Sequence, residues 1–494
     1  MHNNSFQEPT SEPAGRGGLW VCAALLILLA AIFHSSFRPD QALFANDGPL
    51  GALNAQANNR LGGFTGYWQD LNWVGIAEPT ALPNITMLFY VLAGPVAFAK
   101  FYASLSLLIL GLSAYAFFRQ MRFHRFVCVL GGLAAALNMN VFSNACWGLP
   151  TRALTLAATF LALAALQSAT RGRPVLKGML AGLAVGLGLM EGYDVGAIFS
   201  LYVAAFALFL CLNQPKPGLR QWVHGISRVA LVAVFAAMMS AQALTTLIET
   251  QIKGVVGMEP QQKSAQESWD WATQWSLPKI ETLRVIIPGL FGYRMDTPGG
   301  GNYWGTVGRQ PGWEQSHQGF PRHSGSGEYA GLLVVLLAIW ALAQSMRGQA
   351  SPYSPGERRM VWFWSGLGLV SLLLAYGRYA PFYRVIYELP FFSTIRNPIK
   401  FMHPFHLTVL VLFGYGLQDL SRRYLGARTV RGGSTGNYLK TWWNSAPAFD
   451  KKWSCWPFGP WHNQCAARPA RIRPASVEWS GSGAAWDWSR SCWP

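Results

Sequence analysis

A succession of long runs almost free of charge constrains this chain more than any other feature. Leu19 to His34, Phe101 to Phe118, Leu154 to Leu166 and Gly331 to Leu342 consist mainly of Leu, Ala and Gly. With their flanks they approach the roughly 20 residues a helix needs to cross about 30 Å of hydrocarbon. The whole chain of 494 residues is 51% hydrophobic and 12% charged, a balance that suits a bilayer as solvent and not water. The runs lack the apolar-polar alternation of a barrel strand, so helices are expected. A signal peptide competes for Leu19 to His34, but no small-x-small cleavage site precedes Ser35-Ser36-Phe37, and the segment reads as a retained first span.

The net charge of +17 would suggest nucleic acid in a soluble protein, yet here the basic residues fall in short clusters between apolar runs, which is a topology signal and not a nucleic-acid surface. Short connections carry Arg119, Arg122 and Arg125; Arg171, Arg173 and Lys177; Lys216, Arg220 and Arg228; Arg347, Arg358 and Arg359; and Arg422, Arg423, Arg428 and Arg431. These are expected to be cytoplasmic. Cys146 to Leu149 and Glu191 to Asp194 contain no Lys or Arg and are expected outside. The alternation predicts an all-α polytopic membrane protein of about ten spans, near 18–35, 100–118, 126–142, 152–169, 176–191, 194–212, 228–247, 328–346, 361–376 and 404–419.

That topology divides the chain into a cytoplasmic N-terminal tail (1–17), a transmembrane domain (18–419) and a cytoplasmic tail (420–494). Both termini are then cytoplasmic. Exterior segments run over 35–99, 247–327 and 377–403, the first two long enough to be functional. Ile85 to Ala99, bracketed by Pro83 and Pro95, reads as interfacial or re-entrant. Leu277 to Phe291 is amphipathic and suited to the membrane surface. After about Trp453 the chain is rich in Trp, Ser, Arg, Pro, Gly and Cys, which reads either as a disordered tail or as out-of-frame translation. The seven cysteines show no C-x-x-C spacing and several lie in apolar runs, so neither a zinc site nor a disulfide framework is indicated.

Candidate chemistry begins just after the first span, with Asp40 in Arg38-Pro39-Asp40 and Asp47 in Asn46-Asp47-Gly48-Pro49. An exterior carboxylate beside the headgroups can deprotonate an acceptor hydroxyl or hold a divalent cation. Asp47 is the better placed, although Asp-Gly-Pro is also a plain turn. Glu191 and Asp194 flank a tight exterior turn, where they suit a supporting carboxylate or cation site, or, for Asp194, a helix-end cap. Arg152, at the start of the fourth span, could pair with either. His317 and His323 have no third ligand at metal spacing. Trp269, Trp271 and Trp275 are candidate sugar-stacking rings and equally ordinary interfacial aromatics.

Trp275-Ser276-Leu277-Pro278, Pro288-Gly289-Leu290-Phe291-Gly292, Tyr303-Trp304-Gly305, Tyr329-Ala330-Gly331 and Leu389-Pro390 followed by Arg396-Asn397-Pro398 resemble the YfhO-type bacterial membrane proteins of the GT-C glycosyltransferase superfamily. The resemblance covers roughly Leu19 to Asp419. It implies a GT-C-like enzyme of the bacterial cytoplasmic membrane that moves a sugar from a polyprenyl-phosphate carrier to a glycan, lipid or protein acceptor on the exterior face. It also implies a catalytic acid in the first exterior loop, matching Asp47 and secondarily Asp40. Many relatives carry closely spaced acidic pairs where this chain has Asn46-Asp47, which leaves metal dependence open. They also commonly continue into further spans.

Gly377 to Lys400 holds Arg378, Arg384, Arg396 and Lys400 on the expected exterior side, against the charge rule. Such an exception fits a site in which the Arg396 guanidinium forks onto the carrier phosphate with Lys400 as a nearby point charge. Interfacial anchoring explains Arg378 and Arg384. The competing function is a transporter or flippase for a lipid-linked or polar solute, against which the spans show no central carboxylate and no paired broken helices. A truncated, nonfunctional relative is the third.

Overall fold

The computed structural model describes residues 16–45, 47–57, 67–69, 76–78, 84–214, 216–247, 264–292, 303–307, 327–389 and 396–424. His317, His323, Asn46 and the tail beyond 424 lie outside them. Among the described residues the architecture is all-α apart from one short antiparallel pairing, β1 (Tyr67–Gln69) with β2 (Ile76–Glu78), in the register Trp68 opposite Ala77.

In chain order the helices are α1 (Arg16–Ile32), α2 (Leu50–Gln56), α3 (Ile85–Gln120), α4 (Arg125–Ala136), α5 (Met139–Trp147), α6 (Thr151–Ala169), α7 (Pro174–Glu191), α8 (Tyr193–Leu212), α9 (Leu219–Met239), α10 (Ala241–Leu247), α11 (Ala265–Ala272), α12 (Leu332–Ser345), α13 (Pro355–Ala375), α14 (Phe382–Tyr387) and α15 (Met402–Tyr424). Helices cover all ten segments expected from the sequence. Five of them, α3 and α6 to α9, are long and apolar enough to cross a membrane; α4 and α5, bent by 41° at their junction, make a sixth if counted as one span. The chain is therefore a multi-pass membrane protein, and the expected count of ten is not reached by length and composition among the described residues.

The expected interfacial segment Ile85 to Ala99 is helical throughout most of its length, inside α3. Gly94 breaks the helix there, with φ 75° and ψ 170°. Glycine accepts that positive φ at little cost, and Pro95 has no N–H to continue the ladder. The first part of α3 is thus a separate helical piece leading into the span.

Small residues set the helix spacing. Gly178, Gly182 and Gly186 recur every fourth residue on α7 and face α9: a Cβ at Gly182 would meet the Val232 carbonyl oxygen at 2.6 Å. Gly111 of α3 and Gly132 of α4 approach as closely, with Gly111 O 2.7 Å from where a Gly132 Cβ would sit. Without a hydrophobic drive between helices in lipid, this close backbone packing supplies the association energy. Leu219, Trp222, Val223, Ile226 and Val234 of α9 remain exposed, as suits a surface facing acyl chains.

The two ends of the bundle differ in charge. Arg171 donates to Gln120 O (2.8 Å), the His124 amide to Gln418 Oε1 (2.8 Å), Arg359 to Asn213 Oδ1 (2.6 Å) and Arg422 to Glu357 Oε1 (2.6 Å). These bonds link all five basic connections to one another, so they share one end. At the other end, the Asp47 amide donates to Trp147 O (3.1 Å), Asn84 Nδ2 to Met190 O (3.0 Å) and Lys400 to Asp194. The grouping of connections expected from charge is realised in space.

Candidate functional site

Asp194 is the second residue of α8, two after the Gly192 cap, and its Oδ1 accepts from the Val195 amide at 2.7 Å. Its Oδ2 accepts from Lys400 Nζ, forming an ion pair. Lys400 reaches it because Asn397 takes a left-handed conformation (φ 67°) and the following Pro398–Phe401 forms a 3₁₀ turn that directs Lys400 inward. The lysine side chain is 7% exposed and the Asp194 side chain 46%. Burial pulls the Lys400 ammonium below its ordinary pKa, opposed by the adjacent Asp194 carboxylate.

Arg152, in the first turn of α6, stands beside this pair. It donates to Asn144 Oδ1 at 2.7 Å and lies 3.4 Å from His403 Nε2. Asp194, Asp47 and Glu328 all lie within electrostatic reach of its guanidinium. Asp47 itself is exposed to solvent. Its loop is pinned to the end of α5: Gly148 adopts φ +111°, and a Cβ there would stand 2.9 Å from the Asp47 amide nitrogen. Arg396 is exposed, with its guanidinium 5.3 Å from the centre of the Trp271 ring and close enough to Lys400 to feel its charge. The structure thus brings Asp47, Arg152, Asp194, Lys400 and Arg396 together at one end of the bundle.

Asp40 and Glu191 stand apart. Asp40 is exposed on a cleft of about 560 Å³ shared with Ser35, Phe142 and Cys146. Glu191 is buried (5% exposed) and accepts from the Ile85 amide (2.7 Å), the Thr86 amide (3.3 Å) and the Thr86 hydroxyl. It satisfies the orphan donors at the start of α3, a helix-capping task. Asp194, in contrast, does not cap its own helix in the usual sense, since the cap position belongs to Gly192.

Beneath Arg152 lies a polar network that the sequence did not single out. Asn138 and Asn140 lead into α5, while His403 and His406 face them from the first turns of α15; both histidines are buried, at 4% and 0% exposed. His403 Nδ1 meets Asn140 Oδ1 at 2.5 Å, and Asn140 Nδ2 donates to Glu328 Oε2 at 3.2 Å. Asn138 Nδ2 meets His406 Nδ1 at 3.0 Å, and His406 Nε2 meets Glu328 Oε2 at 3.3 Å. Only one assignment satisfies all four. His403 carries its proton on Nδ1 and turns the Nε2 lone pair to Arg152; His406 carries its proton on Nε2 and donates to Glu328. The available sequence signal was His403-Pro404-Phe405-His406 at the head of an apolar run, where ionisable groups are costly and mark function.

A segment of the long second loop covers this end. The Leu277 amide donates to Ala375 O (2.9 Å), the Asn397 amide to Ala272 O (2.7 Å) and the Ile399 amide to Trp275 O (2.9 Å). Arg378 donates to Thr273 O (3.1 Å) and Asp270 O (2.8 Å) at the end of α11, where a cation complements the helix dipole; burial lowers its pKa, with Asp270 opposing. It is a clasp, not a headgroup anchor. Arg384, exposed, makes only a 3.4 Å pair with Glu388 and lies over Trp269, which leaves the anchoring expectation in place. Lys279–Val285 is a 3₁₀ turn whose Glu281 and Arg284 are buried against each other at 2.9 Å, while Ile280, Leu283 and Ile287 are exposed. Its apolar face therefore points outward, as membrane contact requires.

Among the described residues, no three His, Cys, Asp or Glu side chains gather closely enough to hold a metal ion. Asp47 has Arg152 as a charged neighbour.

Fold and site together define a multi-pass helical membrane protein with an ionic cluster at the end opposite its basic connections. No family model matches the chain, and no curated protein matches it. One solved structure it is similar to is the archaeal oligosaccharyltransferase AglB from Archaeoglobus fulgidus, in complex with an inhibitory peptide and a dolichol-phosphate: 12% identity, TM-score 0.43, covering 84% of this chain and 52% of that one. The chain thus spans about half the length of that protein.

Proposed function

We propose that the protein is a membrane glycosyltransferase of GT-C type, moving a sugar from a polyprenyl-phosphate carrier to an acceptor on the exterior face of the cytoplasmic membrane. The observation that carries this is the convergence of Asp47, Arg152, Asp194, Lys400 and Arg396, which come from four separate connections. Asp47 is exposed and can take the proton of an acceptor hydroxyl as its oxygen bonds to the anomeric carbon. The bond from that carbon to the carrier phosphate breaks, the phosphate keeps the electron pair, and configuration inverts. Arg396, exposed at the rim, binds the phosphate oxygens. Lys400 is neutralised by Asp194, so its part is to shape the field and hold the loop that carries Arg396. Arg152 places a positive charge near Asp47. Trp271, 49% exposed beneath Arg396, offers a face to the sugar.

Purified protein supplied with polyprenyl-phosphate-linked sugars and an acceptor extract tests this. Transfer is expected with wild type and lost in Asp47→Asn; undiminished transfer by that variant refutes the base assignment.

One observation favours a second reading. Glu328, His403 and His406 form a buried ionisable network at the heads of apolar helices, the kind of feature that marks a proton or solute path. Solute flux in proteoliposomes without a covalent product would favour a transporter over the transferase.

A further inference from the structure

At the basic end, a cleft of about 690 Å³ opens between the end of α8, the connection after α12 and the first turns of α13. Phe209, Met346, Trp362 and Phe363 are its apolar lining, and Arg358 and Arg359 line it beside them. Phe209 and Phe363 stack with ring centres 4.2 Å apart, which gives the wall a flat aromatic face. Trp362 is 47% and Met346 60% exposed, which leaves the apolar side open toward the surroundings of the bundle.

Arg358 donates to the Gly348 carbonyl at 3.0 Å and Arg359 to the Asn213 side chain and carbonyl at 2.6 and 3.1 Å. Among the described residues neither meets a carboxylate at ion-pair distance. Neighbouring Glu357 is committed to Arg422. These neutral contacts fix the arginines in place but leave donor capacity and full charge facing the cleft.

We propose that this cleft binds an anionic glycerophospholipid, its headgroup phosphate on Arg358 and Arg359 and an acyl chain along Phe209, Trp362 and Phe363. The occupant follows from complementarity on both counts. Two cations at helix ends, with Trp362 one turn deeper, match the phosphate level and upper acyl level of a leaflet. A soluble anion would leave the aromatic wall unused, and a zwitterionic lipid would leave the paired positive charge uncompensated. The site is independent of the transferase reading, since it lies among the basic connections and shares no residue with the Asp47 cluster.

Native mass spectrometry of the full-length protein released from detergent, with dioleoyl phosphatidylglycerol or dioleoyl phosphatidylcholine added, tests it. Phosphatidylglycerol adducts are expected to survive activation that strips phosphatidylcholine. Each arginine removed should weaken retention about five-fold, the equivalent of about 1 kcal/mol per basic residue. Arg358→Gln is the cleaner variant because it gives up only a bond to an exposed carbonyl; Arg359→Gln, which also releases Asn213, is paired with a melting measurement. Equal retention of the two lipids, or unchanged phosphatidylglycerol retention in R358Q and R359Q, overturns the proposal. Displacement of phosphatidylglycerol by inorganic phosphate also overturns it, because the site would then be one for a soluble anion.

Discussion

Lys400 and Asp194 form an ion pair across 206 positions of sequence, and the two ends of that pair are buried to different degrees, 7% against 46% exposed. The pair fastens the connection carrying Arg396 to the start of α8, and the asymmetry makes the two halves unequal under mutation.

Asp194→Asn strands a buried ammonium, whereas Lys400→Met leaves a carboxylate that keeps water, the Val195 amide and Arg152. The first should be the more destabilising, by roughly 1–3 kcal/mol, and the double variant should recover part of the loss. Thermal melting in detergent reads the order; equal losses from the two single variants would contradict the asymmetry.

Gly148→Ala places a Cβ at φ +111° and 2.9 Å from the Asp47 nitrogen. The strain, roughly 1–3 kcal/mol, falls on the loop that presents Asp47. Sugar transfer is expected to drop while the melting temperature shifts by only a few degrees. Full activity in G148A would mean that the loop's position is unimportant.

Glu281 and Arg284, at 1% and 2% exposed, hold the covering turn together, with the Tyr303 hydroxyl (2.7 Å) and the Thr306 amide (2.7 Å) also bonded to Glu281. Burial and the nearby Glu281 charge raise the Tyr303 pKa, so the phenol remains a donor. Arg284→Leu alone should cost about 3–5 kcal/mol by leaving the carboxylate uncompensated, and E281L/R284L much less. Limited proteolysis of the covering segment would reveal the difference; a double variant as labile as R284L would argue against an uncompensated charge as the cause.

The charge division of the bundle predicts that its ends lie on opposite faces of the membrane. Ala42→Cys and Ala350→Cys, both at exposed positions, should be labelled by an impermeant maleimide from opposite sides in a background without the native cysteines. Labelling of both from one side would dissolve the proposed exterior site.

The helices were legible from sequence alone because their solvent is hydrocarbon. A charge-free run has to be a helix, and lysine and arginine mark which ends lie together; the bonds linking Gln120 to Arg171 and Asn213 to Arg359 agree with that partition. Candidate residues were legible only as types. Asp47, Arg152, Asp194, Lys400 and Arg396 could be named as charged groups at exposed helix ends, but Glu191 carries the same signature and turns out to cap α3. Position along the chain does not say which oxygen meets which donor. The pairing of Lys400 with Asp194, and of His403 and His406 with Asn140, Asn138 and Glu328, depends on helix rotation and close glycine-mediated packing. Those are set by contacts between segments far apart in sequence, and only the tertiary structure decides them.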